Sequence, residues 1–156
     1  MNSSIVSIGV SNPGKPISQS EISRFMQIAH QLDELESRKL QFFYRMSGID
    51  YRYSVLDDFE KKDPEDFSFF PKSKDLHPFP GTKARMQVFQ KEAPRLALKA
   101  SQSALNQAKV PAHEVTHLVL VSCTGMVAPG VEFELVQHLG LDDSVERYCI
   151  HFMGCY

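Results

Sequence analysis

Three cysteines, Cys123, Cys149 and Cys155, carry the most direct chemistry in the sequence. No two of them form a CxxC pair, and an odd number without a secretion signal reads as reduced thiols in a cytosol. Cys155 is placed most suggestively. Ile150-His151-Phe152-Met153 reads as the end of a strand, Gly154 permits a tight turn, and Cys155 follows. A helix starting there would offer N-terminal amides that stabilise a thiolate and receive an oxyanion. Glycine followed by a nucleophile is the logic of a nucleophile elbow. The opposing reading is a structural cysteine, the commoner role of a lone thiol. The sequence ends at Tyr156, so the helix itself is not in it. His151 would be a base beside the thiol, but on a strand it shares the face of Met153 and reads as a satisfied core histidine.

Two other stretches invite chemistry. Ser122-Cys123-Thr124-Gly125-Met126-Val127-Ala128-Pro129-Gly130 joins an apolar run to a helix. Ligands of open α/β sheets collect beyond the carboxyl ends of strands, though a plain connection of this length is equally ordinary. His113-Glu114-Val115-Thr116-His117 spells H-E-x-x-H. That motif holds zinc only on a helix, where both imidazoles share a face. Here Pro111 precedes it and His117 runs into Leu118-Val119-Leu120-Val121, so the expectation is a loop His113, a strand-start His117 and no metal site.

The elements that must position these residues alternate in type. Residues 3–10 alternate and are β-branched, predicting a strand closed by Asn12-Pro13-Gly14. Ser18 and Glu21 have capping-box spacing ahead of Ile22, Phe25, Met26, Ala29 and Leu32. A second helix is expected from about Glu34 to Met46, with Leu40, Phe43 and Tyr44 on its apolar side and Ser47-Gly48 stopping it. Between residues 57 and 82 periodicity vanishes, yet five phenylalanines and four prolines occur. A flexible linker would not carry that many aromatics, so an ordered loop pinned by Phe side chains is predicted. Thr82 then caps the longest helix, about Lys83 to Ala108. Its alanine-rich face allows close approach of a neighbour, and Pro94 is expected to kink or divide it. Val115–Ser122 reads as a buried central strand of a parallel sheet. Pro129-Gly130 opens a helix with Val131, Leu135, Val136 and Leu139 inward and Gly140 as its stop. Arg147–Met153 is the last expected strand. The whole is α/β.

Composition excludes several classes. The 156 residues are 42% hydrophobic and 23% charged, against a disordered tail or a coiled coil. A formal net charge of -2 argues against a mainly electrostatic nucleic-acid or membrane binder. The longest clearly apolar stretch, Leu118–Val121, is far too short to span a bilayer. Met1-Asn2-Ser3-Ser4 lacks the opening of a signal peptide. A cytoplasmic protein is expected.

Set in order, several short motifs resemble the first part of the type III polyketide synthases, the chalcone and stilbene synthase family. They are Arg45-Met46-Ser47-Gly48-Ile49 with Arg52-Tyr53, Pro78-Phe79-Pro80-Gly81-Thr82 with Arg85-Met86, Thr116-His117-Leu118-Val119, Ser122-Cys123-Thr124-Gly125, Pro129-Gly130, Glu134-Leu135, Leu139-Gly140-Leu141 and Gly154-Cys155. Each is weak alone; together they span nearly the whole chain. The Phe/Pro-rich loop at about 57–82 favours this family over the ketoacyl-carrier-protein synthases III, the enzymatic alternative. A non-catalytic module that binds acyl-CoA or a partner half is the other alternative.

The resemblance implies one incomplete half-domain over residues 1–156, the N-terminal half of a thiolase-like αβαβα layered fold cut after the nucleophile strand. It implies a homodimer, acyl-CoA and malonyl-CoA as substrates, and no cofactor beyond these coenzyme A thioesters. Cys155 is implied as the catalytic nucleophile. Arg45 matches an arginine that contacts coenzyme A phosphate, against the plain reading of a solvated surface arginine. Cys123 and Thr124 match residues lining the cavity for the growing chain. Ala128 stands where plant members carry a methionine that reaches across the dimer. Further basic residues for coenzyme A have no clear match around Phe42 and Ser47. The family's catalytic His and Asn lie beyond Tyr156, so this polypeptide alone is expected to be inactive.

Overall fold

The structure is a computed structural model that describes residues 3–152. Expectations for Met153, Gly154 and Cys155 lie outside the described residues. The chain divides into two compact units, residues 12–81 and the remainder.

In the unit of residues 12–81, β1 (Ile17–Ser18) pairs antiparallel with β2 (Tyr51–Arg52). Between them lie α1 (Gln19–Ala29) and α2 (Glu34–Met46). The capping box forms as read: the Glu21 amide donates to Ser18 Oγ at 3.2 Å, and the Ser18 amide donates to Glu21 Oε2 at 3.0 Å. Asp33 caps α2 by accepting the Glu36 amide at 2.8 Å. Gly48, with φ +67°, turns the chain after the Ser47 C-cap. One expectation fails on α2. Leu40 and Tyr44 are half-buried but Phe43 is 68% exposed. The helix buries only the stripe facing α1, and Phe43 lies off it with Phe42 and Met46.

The loop after β2 is ordered around one carboxylate. Two short 3-10 turns, Asp57–Glu60 and Pro64–Asp66, start it. Asp58 is fully buried. Its Oδ1 accepts the amide and hydroxyl of Ser68 at 2.8 and 2.9 Å, and its Oδ2 accepts the amides of Phe69 and Phe70, both at 2.8 Å. This collar sets Phe59, Phe67 and Phe70 around Phe25 of α1, with ring centroids 4.6, 5.6 and 4.9 Å away. Phe25, Ala29, Phe67 and Leu76 form the buried cluster. The Phe/Pro-rich segment is thus a packed part of its unit, as expected.

In the other unit, α3 (Thr82–Ala108) runs unbroken through Pro94. A proline inside a helix removes one hydrogen bond, but half-buried Phe89 and Ala93 before it and Leu96 and Ala97 after it hold both stretches. Division at Pro94 is therefore not found. β3 (His117–Ser122) and β4 (Glu146–His151) pair in parallel, from His117 opposite Glu146 to Ser122 opposite His151. The crossover between them is α4 (Val131–Leu139), which buries Val131 and Leu135 and ends at Gly140 with φ +66°. Leu141 and Val145 are buried after it. α3 packs against α4.

Three strand expectations need correction. β3 is not buried on both faces: Val119 and Val121 are 54% and 51% exposed, because β4 is its only neighbour among the described residues. β4 runs from Glu146 to His151, and Phe152, expected within the strand, lies at a bend instead; Met153 is outside the described residues. Residues 3–10 form no strand. A strand needs a ladder for its amides and carbonyls, and neither β3 nor β4 takes this segment. It lies along α3 instead. Ser7 Oγ donates to the Ala104 carbonyl at 2.8 Å. Gly9 comes so close that a Cβ there would sit 2.0 Å from the Ala100 carbonyl oxygen. The alanine face of α3 thus admits backbone, as its composition suggests.

Two outcomes follow from these contacts. Asp58→Asn is expected to cost about 2–4 kcal/mol, read from the urea midpoint, because the charged acceptor of four donors is lost. Burial raises the Asp58 pKa, but the Phe70, Ser68 and Phe69 amides and the Ser68 hydroxyl outweigh it and hold the carboxyl below its usual range. Its contribution is therefore full above the unfolded value of about 3.9 and is lost as pH falls through the folded value. The Asn variant should show less acid loss of stability than the parent. Gly9→Ala is expected to cost about 1–3 kcal/mol in the same measurement, since the clash is with backbone. An unchanged midpoint would refute the close approach.

Candidate functional site

A parallel pair joined by a crossover puts the carboxyl ends of both strands at the same edge. Here that edge gathers Ser122 at the end of β3, Cys123 and Thr124 after it, and Phe152 after β4. Ser122 shapes the turn. Its hydroxyl donates to the Gly125 carbonyl at 2.9 Å and accepts the Gly125 amide at 3.2 Å. Cys123 and Thr124 stand exposed on this turn, while Gly125 is buried. A Cβ at Gly125 would lie 2.0 Å from Cε2 of Phe89, so only glycine lets the turn seat on that ring. Ala128, exposed, precedes a cis peptide to Pro129 at the entry to α4.

The exit from β4 is tied to the same turn. The Phe152 amide donates to the carbonyl oxygens of Ser122 at 3.1 Å and Cys123 at 2.8 Å. Phe152 has φ +65°. A bulky residue in the left-handed region is strained and persists only where its surroundings enforce it; here the bifurcated hydrogen bond does so. Nothing in the sequence signals this position. Cys155 lies outside the described residues.

His151 departs from expectation. It is half-buried, and its Nδ1 is buried with no hydrogen-bond partner among the described residues. Its Nδ1 is thus buried without the hydrogen bond that a satisfied core histidine would have. Of the three thiols, Cys149 is free and exposed. Burial, then the hydrogen bond and charge of Glu132, push the Cys149 thiol pKa up, with Arg147 opposing weakly. That thiol is held protonated and is a poor nucleophile.

The H-E-x-x-H residues are placed as read. His113 sits on the 3-10 turn Ala112–Glu114, and His117 opens β3. His117 stacks on Tyr148 with ring centroids 6.3 Å apart, and its Nε2 lies 3.8 Å from Glu146 Oε2. No group of three or more metal-ligating side chains occurs among the described residues.

Arg45 belongs to the other unit. It lies exposed in the last turn of α2 and lines a cavity of about 650 Å³ together with Ser18, Ser20, Arg24, Tyr44 and Asp50. Arg24, which no sequence motif marks, has Nε and Nη2 buried without a hydrogen-bond partner.

A family model described as chalcone and stilbene synthases, N-terminal domain, matches residues 2–156. The chain belongs to the chalcone and stilbene synthase family. Among curated relatives, a probable polyketide synthase 1 of Dictyostelium discoideum is 30% identical over 154 residues, covering 99% of this chain and 5% of that protein. The bisdemethoxycurcumin synthase of Oryza sativa subsp. japonica is 32% identical over 154 residues, covering 97% of this chain and 37% of that protein. Among solved structures, PKS-I of the brown alga Ectocarpus siliculosus superposes with a TM-score of 0.81 at 29% identity, over 96% of this chain and 39% of that one. The C-terminal type III polyketide synthase domain of Steely1, a type I/III hybrid from Dictyostelium, gives 0.75 at 31% identity, with the same coverages. The chain thus spans well under half the length of these family members. Its α/β fold is that of the N-terminal part of type III polyketide synthases. No helix among the described residues is long and apolar enough to cross a membrane.

Cys149 provides a test of the site's electrostatics. Its alkylation rate by iodoacetamide is expected to rise with pH about a midpoint above the roughly 8.5 of a free thiol. A midpoint at or below that value would contradict the protection assigned to Glu132 and burial.

Proposed function

We propose that this chain is the N-terminal part of a type III polyketide synthase that condenses acyl-CoA starters with malonyl-CoA through a thioester on Cys155. The family assignment over residues 2–156 supports the reaction class. The observation that carries the site is the shared carboxyl edge of β3 and β4, where the Phe152 amide ties the β4 exit to Ser122 and Cys123.

In this reading the Cys155 thiolate attacks the starter's thioester carbonyl and coenzyme A leaves as its thiolate, forming an acyl-enzyme. Malonyl-CoA loses carbon dioxide to give an enolate. The enolate carbon attacks the acyl-enzyme carbonyl, and Cys155 departs as thiolate with the chain two carbons longer. Cys123, Thr124 and Ala128 shape the space that receives the chain. Arg45 holds a coenzyme A phosphate, a task suited to a guanidinium. The His and Asn that would stabilise the thiolate and the enolate are supplied by further chain of the parent protein. The parent is a cytoplasmic homodimer that needs no cofactor or metal beyond its thioester substrates. Residues 1–156 by themselves do not condense.

The test is intact-protein mass spectrometry of the full-length parent after incubation with an acyl-CoA. One acyl group per chain is expected, lost in Cys155→Ala, while Cys149→Ala retains it. With malonyl-CoA added, product formation should fall by at least about 10³-fold in Cys155→Ala, as for removal of a covalent nucleophile. Acylation that persists without Cys155 would overturn the assignment. Measurable condensation by residues 1–156 alone would overturn the need for a second half.

A further inference from the structure

We infer that Cys123 is a resolving cysteine for the nucleophile, so that a peroxide joins Cys123 to Cys155 in a reversible disulfide and switches acyl loading off. The inference rests on the reading of Cys155 as the nucleophile and adds a control of that site.

Cys123 follows Ser122, which stands opposite His151 in the parallel ladder, so Cys123 is level with Phe152. The two are tied directly, for the Phe152 amide donates to the Cys123 carbonyl at 2.8 Å. Cys155 comes three positions after Phe152 in the sequence. Three residues reach at most about 11 Å, and Gly154 is the residue type that lets so short a segment turn. The two sulfurs therefore belong to one edge, where a disulfide needs Cα atoms roughly 4.4–6.8 Å apart. Cys123 is exposed on a turn braced from within, by the Ser122 hydroxyl on Gly125 and by the seating of Gly125 on Phe89. An accessible cysteine beside a low-pKa thiolate is the arrangement by which redox sensors resolve oxidation. Cys149 does not compete. It pairs with Leu120, two positions before the ends of both strands, and burial and Glu132 hold its thiol protonated. Transient links of this kind are the disulfides that occur in reducing compartments.

The chemistry balances with hydrogen peroxide as the oxidant. The Cys155 thiolate attacks one peroxide oxygen, the O–O bond breaks, hydroxide leaves and Cys155 becomes a sulfenic acid. The Cys123 thiolate then attacks the Cys155 sulfur. The S–S bond forms, the S–O bond breaks, and the departing hydroxide takes up a proton as water. Two thiols lose two electrons and two protons, and the peroxide becomes two waters. Dithiothreitol reverses the link by thiol–disulfide exchange. While linked, Cys155 has no thiolate to accept an acyl group, and its sulfur is kept from the irreversible sulfinic acid.

The experiment treats the full-length synthase with hydrogen peroxide and then offers an acyl-CoA. Loading is read by intact-protein mass spectrometry, each chain against its own untreated level. In the parent, loading is expected to be lost and to return with dithiothreitol. Non-reducing peptide mapping should find the Cys123 peptide joined to the Cys155 peptide, with the intact chain lighter by two hydrogens. Cys149→Ala should respond as the parent does. In Cys123→Ser the joined peptides should be absent, and prolonged treatment should add two oxygens to Cys155, with a loss of loading that dithiothreitol does not restore. Sulfinic Cys155 in the treated parent without joined peptides would overturn the inference, as would a link from Cys155 to Cys149. Full recovery of Cys123→Ser after the same prolonged exposure would overturn it too. In each of these cases loading of the untreated parent on Cys155 leaves the reading of the nucleophile standing. If the untreated parent takes no acyl group on Cys155, both fall.

Discussion

Parallel pairing of β3 with β4 is the constraint on which the candidate catalytic edge depends. Parallel strands cannot be joined by a tight hairpin, so the chain must leave the sheet, form α4 and return. That crossover decides that Ser122 and His151 stand opposite one another and that both strands end at one edge. The Ser122 turn and the strained Phe152 are both consequences of this edge. One supplies a hydroxyl that closes its own turn; the other spends an amide on the carbonyls of that turn. Cys123 and Thr124 are presented because the turn is closed beneath them.

The aromatic loop obeys a different rule. A carboxylate can be buried only if its oxygens are filled, and Asp58 fills them with three backbone amides and a hydroxyl. The phenylalanines do not order the loop by hydrophobicity alone. The collar fixes the backbone, and the rings then fall against Phe25. Polar satisfaction and apolar packing here are two aspects of one arrangement, which explains how a segment without periodicity is as well packed as a helix.

What the sequence revealed followed the range of each interaction. Ser18 with Glu21, Gly140 after α4 and Gly48 after α2 act over three or four residues and were legible. The Phe content of residues 57–82 correctly signalled order. The strand expected at 3–10 was misread because alternation reports a face, whereas a strand also needs a neighbour. Its apolar residues Ile5, Val6, Ile8 and Val10 remain largely exposed. Asp58 was invisible because its partners are amides, which every residue carries. Phe152 gave no sign because its strain is imposed from β3, about 30 positions away in sequence. The site residues named from family resemblance, Arg45, Cys123, Thr124 and Ala128, fall into two separate units of the chain, a division that no local pattern marks.

The collar around Asp58 has a further consequence for how the chain acquires its shape. Its donors lie only ten to twelve residues along the sequence, so closing it loses little chain entropy. β3 meets β4 at a separation of 29 positions, from His117 to Glu146, and an intervening helix must dock before the ladder closes. Local contacts form quickly and distant parallel pairings slowly. Closing the aromatic collar thus costs less chain entropy than closing the parallel edge that gathers the candidate chemistry.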